Sequence, residues 1–248
     1  MTIAAIIQAR IGSTRLPGKV MYPLDGRHVL DHVVTRVASS DMVDDTIVAT
    51  STSSADDVIE DYASKFGAEI VRGSESNVLA RFESAIEAYE PDIVVRVTAD
   101  CPLLSPEFID MAIRRIRDYG AEYVSAGIDR TFPRGVTCEA FSTESFERIR
   151  SNASEPHHRE HVTPYYRENP EEFKLFNLTS NAVFDEPWLQ NRTDLRLTLD
   201  EPADYQLIET VYREVEYDEV LDIRDAIKYV DENSLDTINK NVRQKSIK

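Results

Sequence analysis

Apolar residues in this chain come in short runs separated by stretches of helical spacing. Residues 3–8 (IAAIIQ) form a compact run, the mark of a strand buried on both faces. From Val29 the apolar positions fall at Val29, Leu30, Val33, Val34 and Val37, which predicts a helix. A strand over 46–50 follows. Ser54 with Asp57 three residues later resembles a capping box, opening a helix that carries Val58, Ile59, Tyr62, Ala63 and Phe66 and stops at Gly67. Next come a strand over 68–72 and a helix over 77–89 with Val78, Leu79, Phe82 and Ile86 on one face. Residues 93–97 are the most continuous apolar β run. Ser105-Pro106 supplies an N-cap and first-turn pair for a helix that runs to Tyr119 and ends at Gly120, before a strand over 122–125. Alternation this regular predicts an α/β fold with a mostly parallel, helix-covered sheet.

After Ala126 the rhythm breaks. Residues 127–137 lack periodicity, helices are predicted over 143–150 and 156–167, and Leu195, Leu197 and Leu199 alternate as in a strand. Two more helical segments cover 202–214 and 220–231. No repeat and no Gly-, Pro- or Ser-rich linker interrupts the chain. The pattern predicts one domain over 1–231, with an inserted lobe at about 127–190, and a tail over 232–248 whose last stretch, from Lys240, carries four bases and no acid.

Composition narrows the function classes. At 248 residues and 42% hydrophobic, the chain can bury a sizeable core without a disulfide or metal staple. Cys101 and Cys138 form no CxxC pair. No window has the apolar length of a membrane span and the start is not signal-like, so a cytoplasmic, soluble protein without membrane partners is expected. Forty-five acids against 28 bases give a net charge of −17, which argues against nucleic acid as a partner. Lys is scarce, seven against 21 Arg, and excess acid with little Lys is the composition of a protein built for high salt.

Against this background the N-terminus is anomalous. No Asp or Glu precedes Asp25, yet Arg10, Arg15 and Lys19 do. The first strand runs into Gln8, Ala9, Arg10, Gly12, Ser13, Thr14, Arg15 and Lys19. Glycine and small hydroxyls let backbone N–H groups approach a ligand, and three cations supply charge. A loop of this kind after a strand of an α/β sheet suits a polyphosphate. It is not a Walker loop, because five residues separate Gly12 from Gly18 and Val20 follows Lys19; GxGxxG is also absent.

These residues carry a close resemblance. IIQARIGSTRLPGKV is similar to the opening of the cytidylyltransferases that make CMP-activated acidic sugars, in particular the spore-coat polysaccharide branch. RGSESNVLARF, VRVTADCPL, REHVTPYYR and LRLTLDEPADYQLI extend the resemblance over most of the chain in the family's order. It implies a nucleotide-diphosphosugar transferase fold (GT-A/Rossmann-like), CTP and an acidic, 2-keto acid sugar as substrates, Mg²⁺ as cofactor and a homodimer. It also implies that Arg72 and Arg81 contact the nucleotide, and that Arg159 and His161 lie by the sugar; Glu139 is a candidate acceptor for a sugar hydroxyl. Phe132-Pro133-Arg134-Gly135 resembles the family's Pro-Asp-Gly turn with Arg134 in place of the acid, a cation that suits a sugar carboxylate.

Asp100 and Asp200 each end a predicted strand, at the edge where the anion loop lies. Two hard oxygen ligands beside a polyphosphate suit Mg²⁺, and in the resembled family the matching residues hold it. Arg10, Lys19 and Asp100 are the expected catalytic residues. His157 and His161, four apart, have a spacing zinc ligands use, without an HExxH motif or a nearby Cys to support it. Two other readings stand beside nucleotidyl transfer: a glycosyltransferase of the same fold, disfavoured because no two Asp are separated by one residue, and a non-catalytic nucleotide-binding protein.

The charge makes a prediction. Self-repulsion at −17 is screened by salt, so the melting temperature should rise from dilute buffer to molar KCl. A flat or falling value in a calorimetric salt series removes the high-salt reading.

Overall fold

The computed structural model describes residues 1–244; Lys245 and Lys248 of the basic tail lie outside the described residues. The strands, in chain order, are β1 (Ile3–Gln8), the hairpin pair β2 (Pro23–Leu24) and β3 (Arg27–His28), β4 (Asp45–Ser51), β5 (Glu69–Gly73), β6 (Ile93–Thr98), β7 (Tyr123–Ser125), β8 (Glu139–Ser142) and β9 (Leu175–Asn177). Seven of them form one sheet in the order β5-β4-β1-β6-β8-β7-β9. β5, β4, β1 and β6 are parallel, β8 runs against both its neighbours, and β9 pairs in parallel with β7. The α/β class with a mostly parallel sheet is as the alternation predicts.

The run 3–8 is apolar throughout because β1 is central and covered on both faces. Ile3, Ala5 and Ile7 enter one core with α1 (Val29–Ala38) and α4 (Pro106–Tyr119), while Ala4 and Ile6 enter the other with α3 (Val78–Tyr89). Between α1 and α3 lies the short α2 (Asp57–Ala63). A 3-10 turn capped by Ser53, whose hydroxyl accepts from the Ala55 N–H, precedes it, and another follows it. The expected Ser54 box does not form: Ser54 lies inside the 3-10 turn, and α2 begins after Asp56.

The second half holds α5 (Thr143–Asn152), α6 (Pro156–His161), α7 (Pro164–Glu168), α8 (Pro202–Glu214) and α9 (Ile223–Glu232). Strands β8 and β9 were not anticipated, being too short to show a period. The helix expected over 156–167 is broken at Val162, which has φ 69°, a left-handed conformation that costs a β-branched residue. The strand expected over 195–199 is absent as a strand. Its alternation is real, with Leu195, Leu197 and Leu199 buried, but its backbone bonds go to two different loops. Leu197 N–H donates to the Arg134 carbonyl at 2.7 Å and Leu199 N–H to the Asp100 carbonyl at 2.8 Å, so no ladder propagates. The tail returns to the domain, where Asn239 is buried and donates to the Arg196 carbonyl and to Asp204 Oδ1, both at 2.9 Å.

Gly135 sets how closely those loops approach. It has φ +93°, and a Cβ there would sit inside the Leu197 carbonyl and 2.6 Å from Thr198 N. Gly135→Ala should cost about 2–4 kcal/mol, from strain and backbone collision together, and lower the melting temperature by several degrees. An unchanged melting curve would show that the two loops part freely.

Candidate functional site

A cleft of about 770 Å³ opens along the carboxyl ends of β1 and β6. The chain goes from β1 to β4 on one side and later returns to β6 on the other, so this is the topological switch point where α/β sheets place ligands. Gln8, Ala9, Arg10, Gly12, Ser13, Thr14, Arg15 and Lys19 all line it, as do Arg81, Asp100, Asp200, Glu139 and His161. Arg72 and Arg159 do not.

The loop after β1 is held in shape from outside. Buried Asp56 accepts the Ile11 N–H at 2.8 Å and the Ser51 hydroxyl, which ties the loop to the end of β4. The Ile11 carbonyl accepts from Ser13 N–H and Gly18 N–H, closing the loop. Gly18, at φ 72°, then turns the chain into the short helical turn that aims Lys19 inward. Sequence reading missed Asp56; only its place just after a strand hinted at a loop anchor.

Lys19 is the hub. Its Nζ donates to Asp100 Oδ2 at 2.6 Å, Asp200 Oδ1 at 2.9 Å and the Leu199 carbonyl at 2.6 Å. Burial alone would lower its pKa, but Asp100 and Asp200 hold the ammonium above its usual value. The two carboxylates thus converge on the same nitrogen. Asp200 is further ringed by cations, with Arg15 Nη2 at 3.1 Å from Oδ1 and Arg196 Nη2 at 2.7 Å from Oδ2. Burial would raise its pKa, yet Lys19, Arg15 and Arg196 hold it below the ordinary Asp value.

Asp204, fully buried at the start of α8, fixes this arrangement. It accepts the backbone N–H groups of Asp200 and Glu201, Arg196 Nε and Asn239 Nδ2. Arg196 therefore bridges Asp204 to Asp200 and also donates to Gln244 Oε1 at 2.6 Å. The polar phase of the 195–200 alternation carried this signal, because Arg196, Thr198 and Asp200 all point away from the core that receives the leucines.

Toward β4 the cleft is lined by unsatisfied groups. Arg81 is 2% exposed, its Nη1 reaches the Ala9 and Ala49 carbonyls at 3.5 and 3.3 Å, and its Nε has no partner among the described residues. Buried Gln8 Oε1 likewise has none. Burial and neighbouring Arg10 lower the Arg81 pKa. Arg72, expected beside the nucleotide, is turned away. From β5, next to which only β4 lies, it crosses to Glu60 at 2.8 Å, Asp57 at 2.7 Å and the Ser51 and Ser53 carbonyls at 2.9 Å. Those four contacts brace the β4–α2 turn.

The other end belongs to the inserted segment. Glu139 is half-buried, and its oxygens take Arg96 Nη1, the Tyr123 hydroxyl and the Thr163 hydroxyl, with Arg167 Nη1 at 4.0 Å. Burial would raise its pKa, but Arg96, Arg167 and these hydrogen bonds hold it below the usual Glu value. It is thus ionised and already accepts from three donors. His161 faces the cleft, its pKa lowered by burial. Arg159, two residues earlier on α6, is exposed to solvent. His157 turns to Glu168 instead of sharing a ligand with His161. Arg130 and Arg134 line the cleft without an ion-pair partner among the described residues, Arg130 donating only to the Phe132 and Thr193 carbonyls. Burial and the adjacent charges of Arg130 and Arg196 lower the Arg134 pKa. No helix among the described residues is long and apolar enough to cross a membrane.

Known proteins share both sequence and architecture with this chain. It is 38% identical over 247 residues to an uncharacterized protein of Methanocaldococcus jannaschii, covering 99% of this chain and 98% of that one. It is 37% identical over 216 residues to the spore coat polysaccharide biosynthesis protein SpsF of Bacillus subtilis, covering 85% and 86%. The structure of a cytidylyltransferase from Leptospira borgpetersenii superposes with a TM-score of 0.87 at 30% identity, covering 99% of this chain and 100% of that one. The cytidylyltransferase family profile matches residues 4–244. With its fold, its cleft and its sequence in agreement, the chain belongs to the cytidylyltransferase family and is a nucleotidyltransferase.

Proposed function

We propose that this enzyme transfers CMP from CTP to a hydroxyl of an acidic sugar, releasing pyrophosphate, in the biosynthesis of a surface polysaccharide. The observation that carries the reading is the convergence of Lys19, Arg15, Asp100 and Asp200 at the carboxyl edge of the sheet. Arg10, Arg15 and Lys19 stabilise charge on the departing phosphates, with the backbone of residues 12–14 completing the cradle. The sugar oxygen attacks the α-phosphorus as the bond to the β-phosphate oxygen breaks. Gln8 and Arg81 give the base an acceptor and a donor, matching the amino group and the carbonyl of cytosine. At the far end Arg130 and Arg134 offer an unneutralised guanidinium pair for the sugar's carboxylate. The absence of an Asp-x-Asp pair leaves glycosyl transfer as the weaker reading.

The donor set fits a divalent cation. Asp100 and Asp200 are hard oxygen ligands that already share a single cation, the Lys19 ammonium, and Mg²⁺ is the expected cofactor there. When bound it supplies charge neutralisation and orientation at the α-phosphate. With three donors on its two oxygens Glu139 holds Arg96 and Thr163 in place, and one acceptor site is left for a sugar hydroxyl.

Incubation with CTP, Mg²⁺ and a panel of acidic sugars should release pyrophosphate with at least one of them; release with none removes the reading. Asp100→Asn and Asp200→Asn should each abolish that turnover while the protein stays folded. Lys19→Ala should cut it by about 30- to 100-fold, the loss of one fixed positive charge beside the phosphates and of the contact that holds the two carboxylates. In the same variant the two carboxylates lose their shared cation, so Mg²⁺ should raise its melting temperature more than that of the parent. An equal rise would show that ammonium and metal do not use the same oxygens.

Glu139→Gln should cost about 1–2 kcal/mol at pH 7, since it removes the charge that pairs with the half-buried Arg96. The folded Glu139 pKa is depressed, so its contribution is present above the unfolded value, near about 4.3, and is lost as pH falls through the folded value. The stability gap between parent and variant should narrow on acidification below about pH 4. A gap constant with pH would mean that the carboxylate charge is not what holds the arginines.

A further inference from the structure

The break at Val162 leaves two short helices, α6 and α7, meeting at an unfavourable backbone angle. Between them lie His161 and Thr163, which form part of the cleft wall. Two helices of six and five residues are not stable alone, so something else must fix their relative position. Besides the packing of Val162 and Tyr166, one carboxylate outside the cleft lining links them. Glu168, the last residue of α7, accepts His157 Nε2 on Oε1 at 2.7 Å and His158 Nε2 on Oε2 at 2.6 Å.

We propose that His157, His158 and Glu168 form a binding site for a divalent transition-metal ion of the Zn²⁺ type, which staples α6 to α7. One ligand atom from each of the three lies within 4.8 Å of the others, so little rearrangement brings them onto one ion. Two imidazole nitrogens and one carboxylate oxygen are a borderline-soft set that selects Zn²⁺ or Co²⁺ over Mg²⁺. His158 is buried and its ring is held edge-to-face against Tyr165, with centroids 5.5 Å apart, so this ligand is pre-oriented. His157 and Glu168 are partly exposed, giving the ion a path in and leaving outer positions to water.

The proton arithmetic is simple. In the metal-free protein each Nε2 hydrogen points at the carboxylate. Neutral imidazole that binds metal through Nε2 carries its hydrogen on Nδ1, so the ion replaces the Nε2 hydrogen and the ring proton moves to Nδ1 through solvent. For His158 this gives up one bond, from the Glu155 backbone N–H to Nδ1; at 3.4 Å it is long, and Glu155 is exposed, so water takes over that N–H. The ion would stiffen the turn that presents His161 and Thr163 to the cleft, from a point outside the cleft.

The test uses the full chain in excess Mg²⁺, which occupies oxygen-only sites such as Asp100 and Asp200. Calorimetric titration with Zn²⁺ should show one equivalent bound, Co²⁺ should develop visible absorption of low coordination number, and Zn²⁺ should raise the melting temperature. His157→Ala and Glu168→Gln, both at partly exposed positions, should each weaken Zn²⁺ binding by at least about 100-fold and abolish the melting shift. Tight binding that survives in both variants would put the ion elsewhere. If the parent binds no Zn²⁺ under these conditions, the three side chains make histidine–carboxylate hydrogen bonds only, and the proposal is overturned.

Discussion

The Lys19 ammonium joins three parts of the chain that are remote in sequence. It sits on the loop after β1 and touches Asp100 at the end of β6 and Asp200 just before α8. Two carboxylates facing each other across a partly dry cleft would repel strongly, and the shared cation makes their approach favourable. The supports behind it each serve that contact. Asp56 holds the loop that carries Lys19, the Leu199 N–H bond to the Asp100 carbonyl brings the two acidic residues side by side, and Asp204 with Arg196 holds Asp200 from behind.

Much of this was legible in the sequence, and the reason differs by element. The parallel half is built from local crossovers with clean periodicity, so β1, β4, β5 and β6 and the helices between them could be read from hydrophobic spacing. The loop from Gln8 to Lys19 stood out because its cations occur without a single acid in a strongly acidic chain. Asp100 could be placed because it ends the most apolar strand. Asp200 does line the cleft, but not at the end of a strand: alternation in 195–199 reports burial of every second side chain, and does not report which backbone receives the hydrogen bonds.

The inserted half was less legible because its elements are short and its geometry depends on long-range ion pairs. Nothing local marks β8 or β9, and a left-handed Val162 contradicts the helical spacing around it. Arg72 shows the same limit. The motif around it resembles a nucleotide-contacting stretch, but its side chain has two acids of α2 within reach and is held there. Glu139, a candidate acceptor for a sugar hydroxyl, already takes hydrogen bonds from Arg96, Tyr123 and Thr163. An acid's availability depends on its neighbours in space, which spacing along a chain does not show.

The reversed direction of β8 has an evolutionary consequence. A parallel strand offers its last residue to the carboxyl edge, and the chain then continues into the helix that packs beneath it. β8 offers its first residue, Glu139, at that edge, and the segment leading into it, residues 126–138, supplies Arg130, Arg134 and Gly135 to the cleft. Insertions or replacements in that approach can remodel the acceptor end without shifting β1, β6 or the loop that carries Lys19. On the proposed function, the parallel half would handle the nucleotide and the segment before β8 the acceptor, so acceptor preference could change while the phosphate chemistry is left alone.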